Sequence, residues 1–66
     1  MTNHLKVERA RHNITQEQLA ERVGVSRQSI NSIEKKRYVP STILALKIAR
    51  VLETEVERIF VLEECD

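Results

Sequence analysis

The chain contains a single glycine, Gly24, and it stands between two short stretches with helical apolar spacing. Before it, Leu19, Ala20 and Val23 mark one buried stripe; after it, Ile30 and Ile33 fall three residues apart. Gly24 can end the first helix with a positive φ at no steric cost, because it carries no Cβ. Two helices joined this way meet at a steep, fixed angle, and the second can project one face from a small domain.

The flanking residues supply the remaining signals. Thr15 with Gln18 makes a capping box that opens the helix before Gly24, and Ile14 is placed to staple it. Ser26 caps the following helix, expected from about Arg27 to Lys35. Upstream, Leu5, Arg9 and Ala10 suit a first helix with Leu5 and Ala10 facing the core, ending near Asn13, which tolerates a left-handed conformation. Lys35-Lys36-Arg37-Tyr38-Val39-Pro40 reads as a loop, because Pro40 disfavours helix at Val39. Ser41 caps a fourth helix, about Thr42 to Leu52, that is apolar nearly all round and is expected to be the central buried element. Thr54 with Glu57 reads as a second capping box opening a short fifth helix with Val56 and Ile59. The run Ile59-Phe60-Val61-Leu62 either extends that helix or forms a strand, and its residues lean toward strand by propensity.

These elements make one mainly α domain over residues 1–66. A chain of 66 residues buries only ~60% of the surface it exposes when unfolded, so pairing with a second copy is expected to add core. With one Phe, one Tyr and no Trp, that core is aliphatic. Cys65 is the only cysteine, which excludes an internal disulfide and a cysteine-based metal site. A free thiol suits a reducing, cytoplasmic setting. There is no apolar run long enough to span a membrane and no signal-peptide core.

The formal net charge is +1, but the signs are segregated. Between Arg27 and Arg50, six basic residues face Glu34 alone; between Glu53 and Asp66, six acids face Arg58 alone. Such asymmetry suits one face turned to an anionic partner and one turned away from it. Arg27, Gln28, Asn31 and Ser32 lie on the side of the third helix opposite Ile30 and Ile33, a polar surface that is either simply solvated or suited to base edges. Catalysis has no support. His4 and His12 are eight residues apart, and the chain has no glycine-rich phosphate loop, nucleophile elbow or metal-ligand cluster. No cofactor, metal or small-molecule ligand is expected. RNA reading is disfavoured by the scarcity of stacking aromatics.

The pattern Thr15-Gln16…Leu19-Ala20…Val23-Gly24-Val25-Ser26…Ile30…Ile33-Glu34…Pro40 resembles the Cro/repressor-type helix-turn-helix family, also called the xenobiotic-response-element family. The resemblance implies a compact five-helix, lambda-repressor-like domain over about residues 4 to 60, with the motif at about 16–35. It implies a sequence-specific regulator of transcription that binds double-stranded DNA. Within the family the chain is similar to short single-domain bacterial and phage repressors. Those imply a homodimer and an antiparallel pairing of Thr2–His4 with Phe60–Leu62. The resemblance assigns base contacts to Arg27, Gln28, Asn31 and Ser32. It assigns phosphate contacts to Gln16, Ser26, Lys35, Lys36, Arg37 and Tyr38, and a structural salt bridge to Arg9 and Glu34. The dimer segment is expected at about 54–64, through Val56, Ile59, Phe60, Val61 and Leu62. The loop departs from the family pattern, in that Lys35-Lys36 stands where Asn-Gly is common, so a positive φ there falls on Lys. The alternative function is an antitoxin or adaptor that uses the same fold to bind a protein.

Overall fold

Side-chain caps set three of the helix starts. The computed structural model describes every residue from Met1 to Asp66. Its elements run β1 (Thr2–Asn3), α1 (Leu5–Arg11), α2 (Gln16–Val23), α3 (Arg27–Glu34), α4 (Thr42–Val51), α5 (Val56–Ile59) and β2 (Phe60–Val61). At α2 the capping box is complete: Thr15 Oγ1 accepts from Gln18 N–H and Gln18 Oε1 accepts from Thr15 N–H, both at 3.0 Å. Ser26 Oγ accepts from Ser29 N–H, and Ser41 Oγ from Leu44 N–H, each at 3.1 Å. These contacts satisfy N–H groups that the helix cannot pair internally.

The ends of α1 to α4 share one geometry. Each is followed by a residue of positive φ: Asn13 (53°), Gly24 (79°), Lys36 (63°) and Glu53 (51°). The next residue then donates its N–H back across the last turn, as Arg37 does to Ser32 O at 2.9 Å and Thr54 to Ala49 O at 3.0 Å. Only one of the four is glycine, so Asn, Lys and Glu bear the left-handed conformation at the others. The Thr54 bond also corrects an expectation. Thr54 does not cap α5 with Glu57; its backbone closes α4, and α5 begins after Glu55 without a side-chain cap.

Every helix contributes at least one side chain that is fully buried: Leu5, Leu19, Ile30, Ile33, Ile48, Leu52 and Ile59, with Leu52 directly after α4. On α1 the inward partner of Leu5 is Glu8, and Ala10 is exposed. The reason is angular, since five helical positions rotate a side chain about 140° off the starting face. α4 is not buried all round either. Leu44, Ala45, Ile48, Ala49 and Leu52 face inward, whereas Ile43 and Leu46 are 68% and 57% exposed. No helix is long and apolar enough to cross a membrane.

The chain's two ends form an antiparallel pair, Thr2 with Val61 and Asn3 with Phe60. His4 N–H extends the pairing to Ile59 O at 2.7 Å. Strand alternation turns Phe60 inward and Val61 outward. Ile59 and Phe60 therefore spend their apolar surface on the chain's own core, at 0% and 8% exposure, and have almost none to offer a second copy. Of the expected dimer segment, Val56 is half-buried, and Val61 and Leu62 are exposed. Asn3 ties the strand to the helices: its Nδ2 donates to Ile33 O at 2.9 Å, and its Oδ1 accepts from Leu5 N–H at 3.2 Å.

The acidic tail folds back on this pair. The Met1 amino group lies 2.7 Å from Asp66 and 3.6 Å from Glu63. Its hydrogen bond to Asp66 raises the amino pKa. The Asp66 carboxyl is held below its usual range, first by the Glu63 N–H that donates to it at 2.8 Å and then by that amino group.

Candidate nucleic-acid interface

α3 presents a face with nothing of the protein in front of it. Ile30 and Ile33 anchor the inner side. Arg27 and Gln28 are exposed at the first turn, and their side chains make no hydrogen bond or ion pair within the chain. Asn31 and Ser32 follow one turn on and are half-buried. Ser26, Gln28, Ser29, Ser32, Arg37 and Tyr38 line one open cleft beside the helix. The structure thus brings Ser26, Gln28, Ser32, Arg37 and Tyr38 together and adds Ser29, which the sequence reading did not single out. Ser29 Oγ lies 3.0 Å from Ser26 Oγ, so the only sequence signal for it is its place three residues after a serine cap.

Lys35, Lys36 and Arg37 lie immediately past the end of α3, all exposed. Cations there are favoured by the helix dipole, and they leave a positive rim beside the polar face. Lys36 is partly neutralised: its Nζ sits 3.7 Å from Glu63 of the folded-back tail. No sequence pattern links these residues, because the tail reaches the loop only through the β1–β2 pairing.

Behind the face lies a relay that spans three helices. Arg9 Nε donates to Glu34 Oε2 at 2.7 Å, and Arg9 Nη2 to Glu34 Oε1 at 3.3 Å, in a fork. Arg9 Nη1 also donates to Ile14 O at 2.8 Å. The two side chains are only 14% and 6% exposed. Gln16, first residue of α2, uses its Nε2 twice, toward Glu34 Oε1 at 3.1 Å and toward Asn31 Oδ1 at 3.2 Å. Both side-chain donors of Gln16 are thus spent inside the protein. A phosphate at this point would instead meet the backbone N–H groups of Gln16 and Glu17, which have no acceptor within the chain. Two N–H groups at a helix start, with the dipole behind them, favour an anion.

An α-helix with its side chains is about 10–12 Å across, and a B-DNA major groove ~12 Å wide admits one. The fold and this face define a helix-turn-helix DNA-binding protein of the transcription-regulator class. The family model for the helix-turn-helix domain HTH_3 matches residues 5–59, and the chain belongs to that family, the xenobiotic-response-element type. It is 53% identical to an uncharacterised helix-turn-helix-type transcriptional regulator of Methanocaldococcus jannaschii over 64 residues, covering 97% of each chain. It is 50% identical to the uncharacterised regulator YgzD of Bacillus subtilis over 64 residues, again covering 97% of each. Among solved structures it is similar to the restriction-modification controller protein C.AhdI of Aeromonas hydrophila. That match has a TM-score of 0.78 and 28% identity over 85% of both chains. It is also similar to the clp gene regulator ClgR of Corynebacterium glutamicum, with a TM-score of 0.76 and 29% identity over 79% of this chain and 55% of ClgR.

Proposed function

We propose that the protein is a homodimeric repressor that binds a roughly palindromic operator. The α3 helices of the two protomers enter successive major grooves ~34 Å apart. Arg27 reads guanine O6 and N7, and Gln28 reads adenine N6 and N7. Ser26, Lys35, Lys36, Arg37 and Tyr38, with the first turn of α2, hold phosphates and set the register. Repression follows from occupying promoter DNA. The observation that carries this reading is the unpartnered pair Arg27 and Gln28 at the start of a helix fixed from behind by the Arg9–Glu34–Gln16 relay.

The dimer reading is supported by the outer side of α4. Ile43 and Leu46 lie one turn apart there, both exposed. Leu46 continues into a groove with Ala49, Arg50, Thr54, Glu55, Val56 and Glu57. A groove that combines apolar residues with Arg50, Glu55 and Glu57 suits a two-fold contact, because opposite signs can meet across the axis. Interface residues are thus assigned to Ile43, Leu46 and Val56 in place of Ile59 and Phe60.

Selection of bound sequences from random duplex DNA, with sedimentation of the complex, tests the proposal. The expected result is an inverted repeat bound by two chains. Leu46→Glu should yield a monomer with weaker DNA binding. A stable monomer bound to a single half-site would overturn the dimer. Absence of any enriched sequence would overturn DNA reading.

A further inference from the structure

We propose that Asn31 reads DNA as a hydrogen-bond donor only and so rejects cytosine at the base edge it faces. The inference rests on the DNA-reading function proposed above and concerns which base this face selects.

Glu34 sets the orientation of the amides beside it. Its carboxylate only accepts hydrogen bonds, and Arg9 holds it in place through two of them. Gln16 therefore has to turn its amide nitrogen toward Glu34, since the reversed amide would set oxygen against carboxylate oxygen. The second N–H of the same nitrogen then points at Asn31. That N–H requires an acceptor, so Asn31 must turn Oδ1 inward; the reversed amide would set two NH₂ groups against each other. Its Nδ2 is left outside with no partner in the protein, on the outward face of α3. Each orientation is dictated by the one before it, and the chain starts at a side chain only 6% exposed, where such bonds are strong.

This polarity has a definite meaning in a major groove. Purine N7, guanine O6 and thymine O4 accept a hydrogen bond, whereas cytosine presents the N4 donor. A free asparagine reads adenine by using both ends, at N7 and N6. Asn31 has its oxygen turned away, so it accepts either purine and separates neither. Gln28 has no partner in the chain and keeps both ends available. Two amides on one helix are thereby given different reading rules.

The test compares wild type, Asn31→Ala, Asn31→Asp and Gln16→Ala in selection from random duplexes. The position at which Asn31→Ala relaxes preference is the one Asn31 faces. There, wild type should deplete one orientation of the G·C pair about fivefold to tenfold and keep the other, as expected for one hydrogen bond. Asn31→Asp is isosteric, still accepts from Gln16, and turns an acceptor outward, so it should invert the preference to the depleted orientation. Gln16→Ala frees the amide and should add a preference for adenine over guanine. Wild type treating both orientations alike, or Asn31→Asp leaving the order unchanged, would overturn the proposal. Side-chain amide resonances of the free protein give a reading that does not depend on DNA. Gln16 NH₂ protons should exchange slowly and those of Asn31 fast; the reverse order would refute the relay. If wild type enriches no sequence, DNA reading itself fails, and the exchange rates still decide the orientation.

Discussion

Arg9→Met tests the relay where it bears on folding. Arg9 makes three hydrogen bonds, two to Glu34 and one to Ile14 O. The variant keeps much of the side chain's packing volume but leaves Glu34 with Gln16 as its one donor, and Ile14 O with no partner. Breaking a buried ion pair from one side costs about 3–5 kcal/mol, and an orphaned carbonyl adds roughly 1 kcal/mol. The pair is almost fully shielded, so solvent screening removes little of this. Against it stands the stability of a 66-residue domain, on the order of 3–10 kcal/mol. Arg9→Met should therefore lower Tm by roughly 15–50 °C, given ~4–8 °C per kcal/mol in a domain this small. Urea and thermal unfolding followed by circular dichroism measure it. Arg9→Met combined with Glu34→Met should recover most of the loss, because no charge is then left unpaired. A single-variant loss below about 1 kcal/mol, where exposed pairs fall, would refute the argument. So would a double variant no more stable than Arg9→Met alone.

Three further outcomes are expected. Lys36→Gly removes a left-handed strain of roughly 1–2 kcal/mol and adds unfolded-state freedom of about 0.5–1 kcal/mol, a net gain of about 0.5–1 kcal/mol in urea unfolding. The same variant should bind DNA more weakly and flatten the salt dependence by about 0.9 in log–log slope, as for one lost phosphate contact. Glu63→Gln frees Lys36 and should tighten DNA binding up to about fivefold at low salt, the range of an exposed pair; unchanged affinity would show that the tail does not compete. The tail should also open at both extremes of pH. Asp66 is depressed, so its contribution is present above the usual carboxylate range and lost as pH falls through the lowered pKa. The Met1 amino group is raised, so its contribution is present below the usual amine range and lost as pH rises through the raised pKa. Amide shifts of Glu63 and Asp66 across a pH titration would report both.

What the sequence made readable was local. Thr15, Ser26 and Ser41 act within three residues of themselves, and Asn13 and Gly24 act through their own φ. Residue type at one position was enough for each. The strand pairing was partly readable, since Phe60–Leu62 lean toward strand and a strand needs a partner, for which the N-terminal lead is the candidate within the chain; the bounds Thr2–His4 came with the family resemblance. α4 divides by helical periodicity, not by its number of apolar residues. Leu44, Ala45, Ile48, Ala49 and Leu52 already form a helical stripe, and Ile43 and Leu46 fall outside it. Thr54 misled because a threonine followed three residues later by glutamate fits a cap, while its N–H was already committed to Ala49 O. Asn3 to Ile33 and Gln16 to Asn31 span thirty and fifteen residues. Such contacts exist only once the helices are packed, and no spacing rule anticipates them.

Glu34 couples two properties that are usually assigned to different residues. It neutralises Arg9 and so joins α1 to α3, and it orients Gln16 and through it Asn31. Altered DNA binding in a Glu34 variant would therefore have two sources, since unfolding and a free-turning Asn31 both change it. The paired methionine variant separates them. With Arg9 and Glu34 both replaced, the domain should remain folded, but nothing then forces the Gln16 amide to one orientation. Asn31 should regain use of both ends and prefer adenine, while the preferences set by Arg27 and Gln28 stay as they were. If the folded double variant kept the wild-type preference at the Asn31 position, Glu34 would be a structural residue only, and the orientation of Asn31 would have to come from Gln16 unaided.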